Sequence, residues 1–119
     1  MYICPMYTSE LIKGTLKTII LNLLKNRDKM YGYEITQTVK EMTNGKIKIT
    51  EGALYPTLHS LEKKGDIGFE KEYIGKRVRK YYSLTEQGQN TAQEKVNEFA
   101  DFIETMKYLL DIDIKPSNA

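Results

Sequence analysis

The chain has 119 residues, 40% hydrophobic and 29% charged, which suits one folded domain and excludes a disordered polyelectrolyte. No apolar run approaches the ~18 residues of a membrane helix, and a single cysteine, Cys4, excludes an internal disulfide or a multi-cysteine zinc site. A net charge of +2 is too small to identify a partner.

Its distribution says more. Between Ile74 and Ser83 lie four cations (Lys76, Arg77, Arg79, Lys80) and no acid, whereas Thr85 to Leu110 carries five acids against Lys95 and Lys107. A basic tip and an acidic helix in one small domain suggest two surfaces with different partners. The first seven residues have neither the basic start nor the apolar stretch of a secretory signal, so a cytoplasmic location is expected.

Taken in order, residues 1–9 lack periodicity and read as a flexible arm. Ile12, Leu16, Ile19, Ile20, Leu23 and Leu24 recur at three- and four-residue steps, predicting a first helix over 10–26 that Asn26-Arg27-Asp28 ends. Ile35, Val39 and Met42 place a second helix over 31–42, followed by turn chemistry at Thr43-Asn44-Gly45. Lys46 to Ile49 alternates like one short strand.

Thr50 caps a third helix, with Glu51 at its positive end, Leu54, Leu58 and Leu61 as an inward rib, and Gly65 as the stop. Pro56 lacks an amide but lies near enough to the start to be tolerated. Alternation over 67–73 and 80–84 predicts two strands of a hairpin whose tip is 74–79. Thr85 then caps a long helix to Leu110, where Ala92, Val96, Phe99, Ile103, Met106 and Leu110 form a heptad seam. Residues 111–119 read as a tail.

On a wheel of ~100° per residue the leucine rib leaves Gly52, Tyr55, Pro56, His59, Ser60 and Lys63 outward or flanking. Few bulky aliphatics, a glycine that permits close approach and a tyrosine hydroxyl suit a surface that enters a major groove. Thr50 and the free amides of the first turn are placed for a backbone phosphate. Lys76, Arg77 and Arg79 could neutralise phosphates or reach a minor groove. The competing reading is an amphipathic helix that meets only water beside a solvated basic loop.

Four motifs then fall in a known order: Tyr31-Gly32-Tyr33-Glu34-Ile35, Gly52-Ala53-Leu54-Tyr55-Pro56-Thr57-Leu58, Leu61 to Ile67, and Arg79 to Gly88. Together they closely resemble the PadR family of bacterial transcriptional regulators, over about residues 11–110. The resemblance implies a mainly α fold with a small β-hairpin (α+β). Its parts would be a winged helix-turn-helix domain over 10–84 and a C-terminal dimerisation helix over 85–110, as in the compact subgroup. It also implies a cytoplasmic repressor of neighbouring genes, released in many members by a small molecule or stress signal. Tyr31 departs from the histidine many members carry there; it can still donate to a phosphate, but no pH-sensitive role carries over. Tyr33, Ile35 and Leu61 read as packing residues, with a phosphate contact the second reading for Tyr33. Of Tyr81 and Tyr82, which alternate faces, one should be core.

The expected partners are double-stranded DNA and a second copy of the chain. Pairing through Val96, Phe99, Ile103, Met106 and Leu110 would set two third helices about 34 Å apart on an inverted repeat. A hydrophobic or aromatic effector could sit among Phe99, Phe102, Met106 and Tyr108, although a filled apolar core is the favoured reading of those side chains. No membrane, metal or cofactor is expected. His59 has no nucleophile or carboxylate at a recognisable spacing, and no phosphate-binding glycine loop is present, so an enzyme is the weakest reading. A winged helix used only for protein–protein contact remains the alternative.

Overall fold

The computed structural model describes residues 6–113. Cys4, most of the expected arm and most of the expected tail therefore lie outside the described residues. The elements run α1 (Ser9–Lys13), α2 (Leu16–Asn26), β1 (Lys29–Tyr31), α3 (Gly32–Met42), α4 (Glu51–Lys63), β2 (Ile67–Ile74), β3 (Arg77–Leu84) and α5 (Glu86–Leu110). The result is a winged helix: helices around a three-stranded antiparallel sheet of order β1-β3-β2, with one long terminal helix.

The single helix expected over 10–26 is two. Thr8 caps α1 by accepting from the Leu11 amide at 3.3 Å. Gly14 ends it, and the Thr15 hydroxyl donates back to the Ile12 carbonyl at 2.9 Å before α2 starts. Residues 6–9 are also less loose than expected, because the Tyr7 amide donates to the Lys46 carbonyl at 2.9 Å. α2 supplies the centre of the core with Leu16, Ile20, Leu21, Leu23 and Leu24.

β1 has no counterpart in the sequence reading. It pairs antiparallel with β3, Met30 opposite Tyr82, and Tyr31 ends the strand, so α3 begins at Gly32. Three residues are too few for alternation to register. α3 buries Ile35, Thr38 and Val39, but Met42 is 68% exposed. It is the last helical residue, beyond which Asn44 and Gly45 turn left-handed and their amides return to Glu41 and Lys40. The expected Asn-Gly reversal is therefore real. Lys46 to Ile49 is loop, not strand: Ile49 is buried, yet no ladder forms.

α4 matches its local signals. The Thr50 hydroxyl accepts from the Ala53 amide at 3.3 Å, and Leu54, Leu58 and Leu61 are buried. The helix continues through Pro56, whose missing amide would have met the Gly52 carbonyl; Gly52 is exposed, so water can serve that acceptor. The C-terminus closes with Gly65 at φ +86, the Gly65 amide donating to Glu62 and the Asp66 amide to Leu61. The hairpin is longer than expected and its tip tighter. Ile74 pairs with Arg77 across a two-residue Gly75-Lys76 turn, with the positive φ that glycine allows at its first position. In α5, capped by Thr85 at the Gly88 amide, Gly88 and Ala92 are buried and the first half packs on α2.

Candidate nucleic-acid interface

Because Leu54, Leu58 and Leu61 turn one side of α4 into the core, Thr50, Gly52, Tyr55, Pro56, His59 and Lys63 are exposed on the remainder, with Ser60 half-buried. Gly52 opens onto free space: a Cβ there would meet only the Thr50 hydroxyl oxygen, at 4.0 Å. Tyr55 is 46% exposed and leans across the start of α3. A Cβ on Gly32 would come within 2.6 Å of the Tyr55 hydroxyl oxygen, so Gly32 is what lets the two helices meet there. The Tyr31 amide donates to the Glu34 carboxylate at 3.3 Å, which fixes the first turn of α3.

The wing faces α4 across a concavity of about 870 Å³, lined among others by Tyr33, Tyr55, Arg77, Arg79 and Lys80. Here four expected contacts come together: Tyr33, Tyr55, Arg77 and Arg79. Thr50, Gly52 and Pro56 instead line a second groove of about 530 Å³, between α4 and α1, with Lys13 and Lys48. His59 and Lys63 line neither of these two hollows, and Lys76 is exposed at the wing tip. The packing role expected of Tyr33 does not hold, since it is 63% exposed on the first turn of α3, whereas Ile35 and Leu61 are buried as expected.

Register sorts the sheet residues. Tyr82 points inward beside Phe69, and burial pushes its phenol pKa up, with Glu62 adding to the shift. Tyr81 faces outward with Tyr31 opposite it, their rings meeting edge-on at 5.5 Å. The Arg79 guanidinium lies 4.1 Å from the centre of the Tyr31 ring and donates to the Tyr81 hydroxyl at 3.4 Å. Lys29 stacks over Tyr81 at 5.5 Å and pairs with Glu70 and Glu72, exposed contacts of little energetic weight. Sequence reasoning missed this cluster because it needs β1. Tyr31, the departure from the expected histidine, was its only local sign. Arg79 thus sits clamped to two rings, whereas Lys76 and Arg77 are exposed and form no ion pair or side-chain hydrogen bond among the described residues.

The seam on α5 has two halves. Val96, Phe99 and Met106 are half-buried, whereas Phe102, Ile103, Leu109 and Leu110 are exposed and no other described element covers them. Phe99 and Phe102 lie 6.2 Å apart, centre to centre. Tyr108 is 90% exposed and, at ~100° per residue, points about 180° away from Phe99. A chamber drawing on Phe99, Phe102, Met106 and Tyr108 would need more than one face of this helix. Among the described residues no group of three or more His, Cys, Asp and Glu side chains could hold a metal, and no helix is long and apolar enough to cross a membrane.

Residues 20–94 match the family model of the Transcriptional regulator PadR-like family. The chain is 36% identical over 107 residues to an uncharacterized protein of Lysinibacillus sphaericus, covering 89% of this chain and 97% of that one. It is 36% identical over 81 residues to the transcriptional regulator YqjI of Escherichia coli strain K12, covering 68% of this chain but 37% of that longer protein. The solved structure of a transcriptional regulator from Clostridium thermocellum superposes with a TM-score of 0.75 at 32% identity, covering 90% of this chain and 100% of that one.

Proposed function

The chain belongs to the Transcriptional regulator PadR-like family, and on that premise we propose that it is a homodimeric repressor of neighbouring genes, binding an inverted-repeat operator. The observation that supports this reading is the concavity in which Tyr55 of the exposed α4 face and Tyr33 of α3 meet Arg77, Arg79 and Lys80 of the wing. In the complex α4 enters the major groove. Tyr55, Pro56 and His59 approach base edges, Gly52 allows close backbone approach, and Thr50 and Lys63 hold phosphates at the two ends of the helix. Tyr33 adds a hydroxyl from α3. Lys76 and Arg77 at the wing tip follow the adjacent backbone, with Arg79 at its base as a fixed charge.

The dimer forms through Val96, Phe99, Ile103, Met106 and Leu110, so that two copies of α4 lie on successive major-groove faces. One winged helix alone has too few contacts for tight specific binding. A hydrophobic or aromatic effector entering between the subunits, against Phe99, Phe102 and Met106, releases the DNA; Tyr108, on the opposite face of α5, joins only if the second subunit's helix brings that face to the site. A thermal-shift panel of planar cationic and phenolic compounds checks that last step: a shift at ligand excess is expected, and none would leave a closed core.

The test of the main reading is a titration of the DNA upstream of the gene, at several salt concentrations, against unrelated duplex. Preferential binding that weakens steeply with salt, by a log–log slope of about 0.9 per phosphate contact, is expected. Equal affinity for both duplexes, or binding indifferent to salt, would overturn it and favour a protein–protein module.

A further inference from the structure

The turn that ends α4 and the N-terminus of α5 are joined by side-chain and backbone hydrogen bonds and by a close backbone approach. A helix leaves its last carbonyls without intrahelical donors. Here the carbonyls that follow α4 are taken by Thr85, the N-cap of α5, and by Gln87 in its first turn. The Gln87 side-chain amide donates to Lys64 O at 2.8 Å, the Thr85 hydroxyl to Gly65 O at 2.6 Å, and the Thr85 amide to Asp66 O at 3.1 Å. Asp66, only 5% exposed, adds its carboxylate: one oxygen, Oδ1, accepts from the Gln87 amide and the Thr91 hydroxyl, each at 2.9 Å. Gly88 closes the joint, because a Cβ there would fall 1.8 Å from Asp66 O. No cation forms an ion pair with Asp66 among the described residues, so its partners are neutral donors whose directions are set by α5.

We infer that Asp66 is a positioning residue: with Gly88 it locks the angle between α5 and α4, and thereby sets the half-site spacing that the dimer reads. The inference rests on the dimeric DNA-binding reading above. The lever arm gives its size. α5 is 25 residues long, about 37 Å at ~1.5 Å per residue. A tilt of about 10° at its base moves the far end by about 6 Å, close to two base-pair steps of ~3.4 Å. Two subunits clasped through that end transmit the tilt to both copies of α4. Asp66 touches no DNA in this arrangement and acts only through α5.

The test compares Asp66→Ala, which removes the shared acceptor, Asp66→Asn, which keeps Oδ1, and Gly88→Ala, which forces the helix off the turn. Spin labels at Lys63→Cys on α4 and Asp101→Cys on α5, in a Cys4→Ser background diluted with unlabelled chain, report the intrasubunit distance without DNA. Wild type and Asp66→Asn should give one narrow distribution, Asp66→Ala a broad one and Gly88→Ala a displaced one. An unchanged narrow distribution in Asp66→Ala, even with a lowered melting temperature, would overturn the inference, because the joint would then only stabilise. If Asp66→Ala loses its helical circular dichroism, Gln87→Ala, which removes two of the same bonds from an exposed side chain, takes its place under the same criterion. On operators whose half-sites differ in spacing by single base pairs, wild type and Asp66→Asn should prefer one spacing by about tenfold. Asp66→Ala should lose that preference while holding a single half-site as before. Retention of the preference contradicts the inference. Failure of wild type to bind any operator contradicts the functional reading instead, and the distances still decide the joint.

Discussion

The winged-helix head and the far half of α5 carry similar apolar patterns with opposite fates. Ile20 with Leu24, and Leu54 with Leu58, recur at helical spacing and are out of water, whereas Phe102 with Leu109, and Ile103 with Leu110, recur two turns apart and stand in it. The two regions differ in what the rest of the chain can offer. α2 sits at the centre, with α4, the sheet and the first half of α5 closing on it; beyond Phe99, the side chains of Phe102, Ile103, Leu109 and Leu110 stay exposed. Amphipathic periodicity states that a face needs cover, and leaves open which molecule supplies it. In the head the cover is the same chain, and on the rod we propose that it is a second copy.

Substitutions can separate the two regions. Leu58→Ala strikes the fully buried rib of α4 and should cost the head about 2–5 kcal/mol, read as a lower denaturation midpoint, with the folded fraction still dimeric. Phe99→Asp strikes the rod. It should abolish the dimer and weaken operator binding by about a hundredfold or more, because the second half-site loses its intramolecular advantage, while the melting of the head changes little. An Asp variant that stays dimeric would move the interface off this seam. Arg77→Ala, at the wing, should leave both fold and dimer intact and lower the salt slope of binding by about 0.9, measured by titration at several ionic strengths. Met42→Ala should shift stability by about 0.5 kcal/mol or less. A larger loss would mean that the face of α3 extends as its spacing suggests and not as the structure has it.

Most of what was legible in the sequence is locally encoded. Thr50 and Thr85 cap through their own hydroxyls, Asn44-Gly45 and Gly65 supply the positive backbone angles of helix ends, and the leucines of α4 keep one face. Those signals need no distant partner. β1 does need one: three residues become a strand only because Tyr82 and its neighbours on β3, far along the chain, offer a free edge. The clamp of Arg79 between Tyr31 and Tyr81 follows from that pairing and was hidden with it. Gly14 could have sat within a continuous helix; the break shows in the tightened bonds of Gly14 and Thr15 to the Ile12 carbonyl. At the candidate interface the residue types on α4 were readable from the wheel, but their division between two hollows was not, because α1 and the wing set those walls.

Sedimentation equilibrium of the purified chain at micromolar concentration, beside Phe99→Asp, tests the clasp between subunits most directly. The account predicts twice the chain mass for the wild type and the single-chain mass for the variant. A wild type that remains a single chain under those conditions would contradict it.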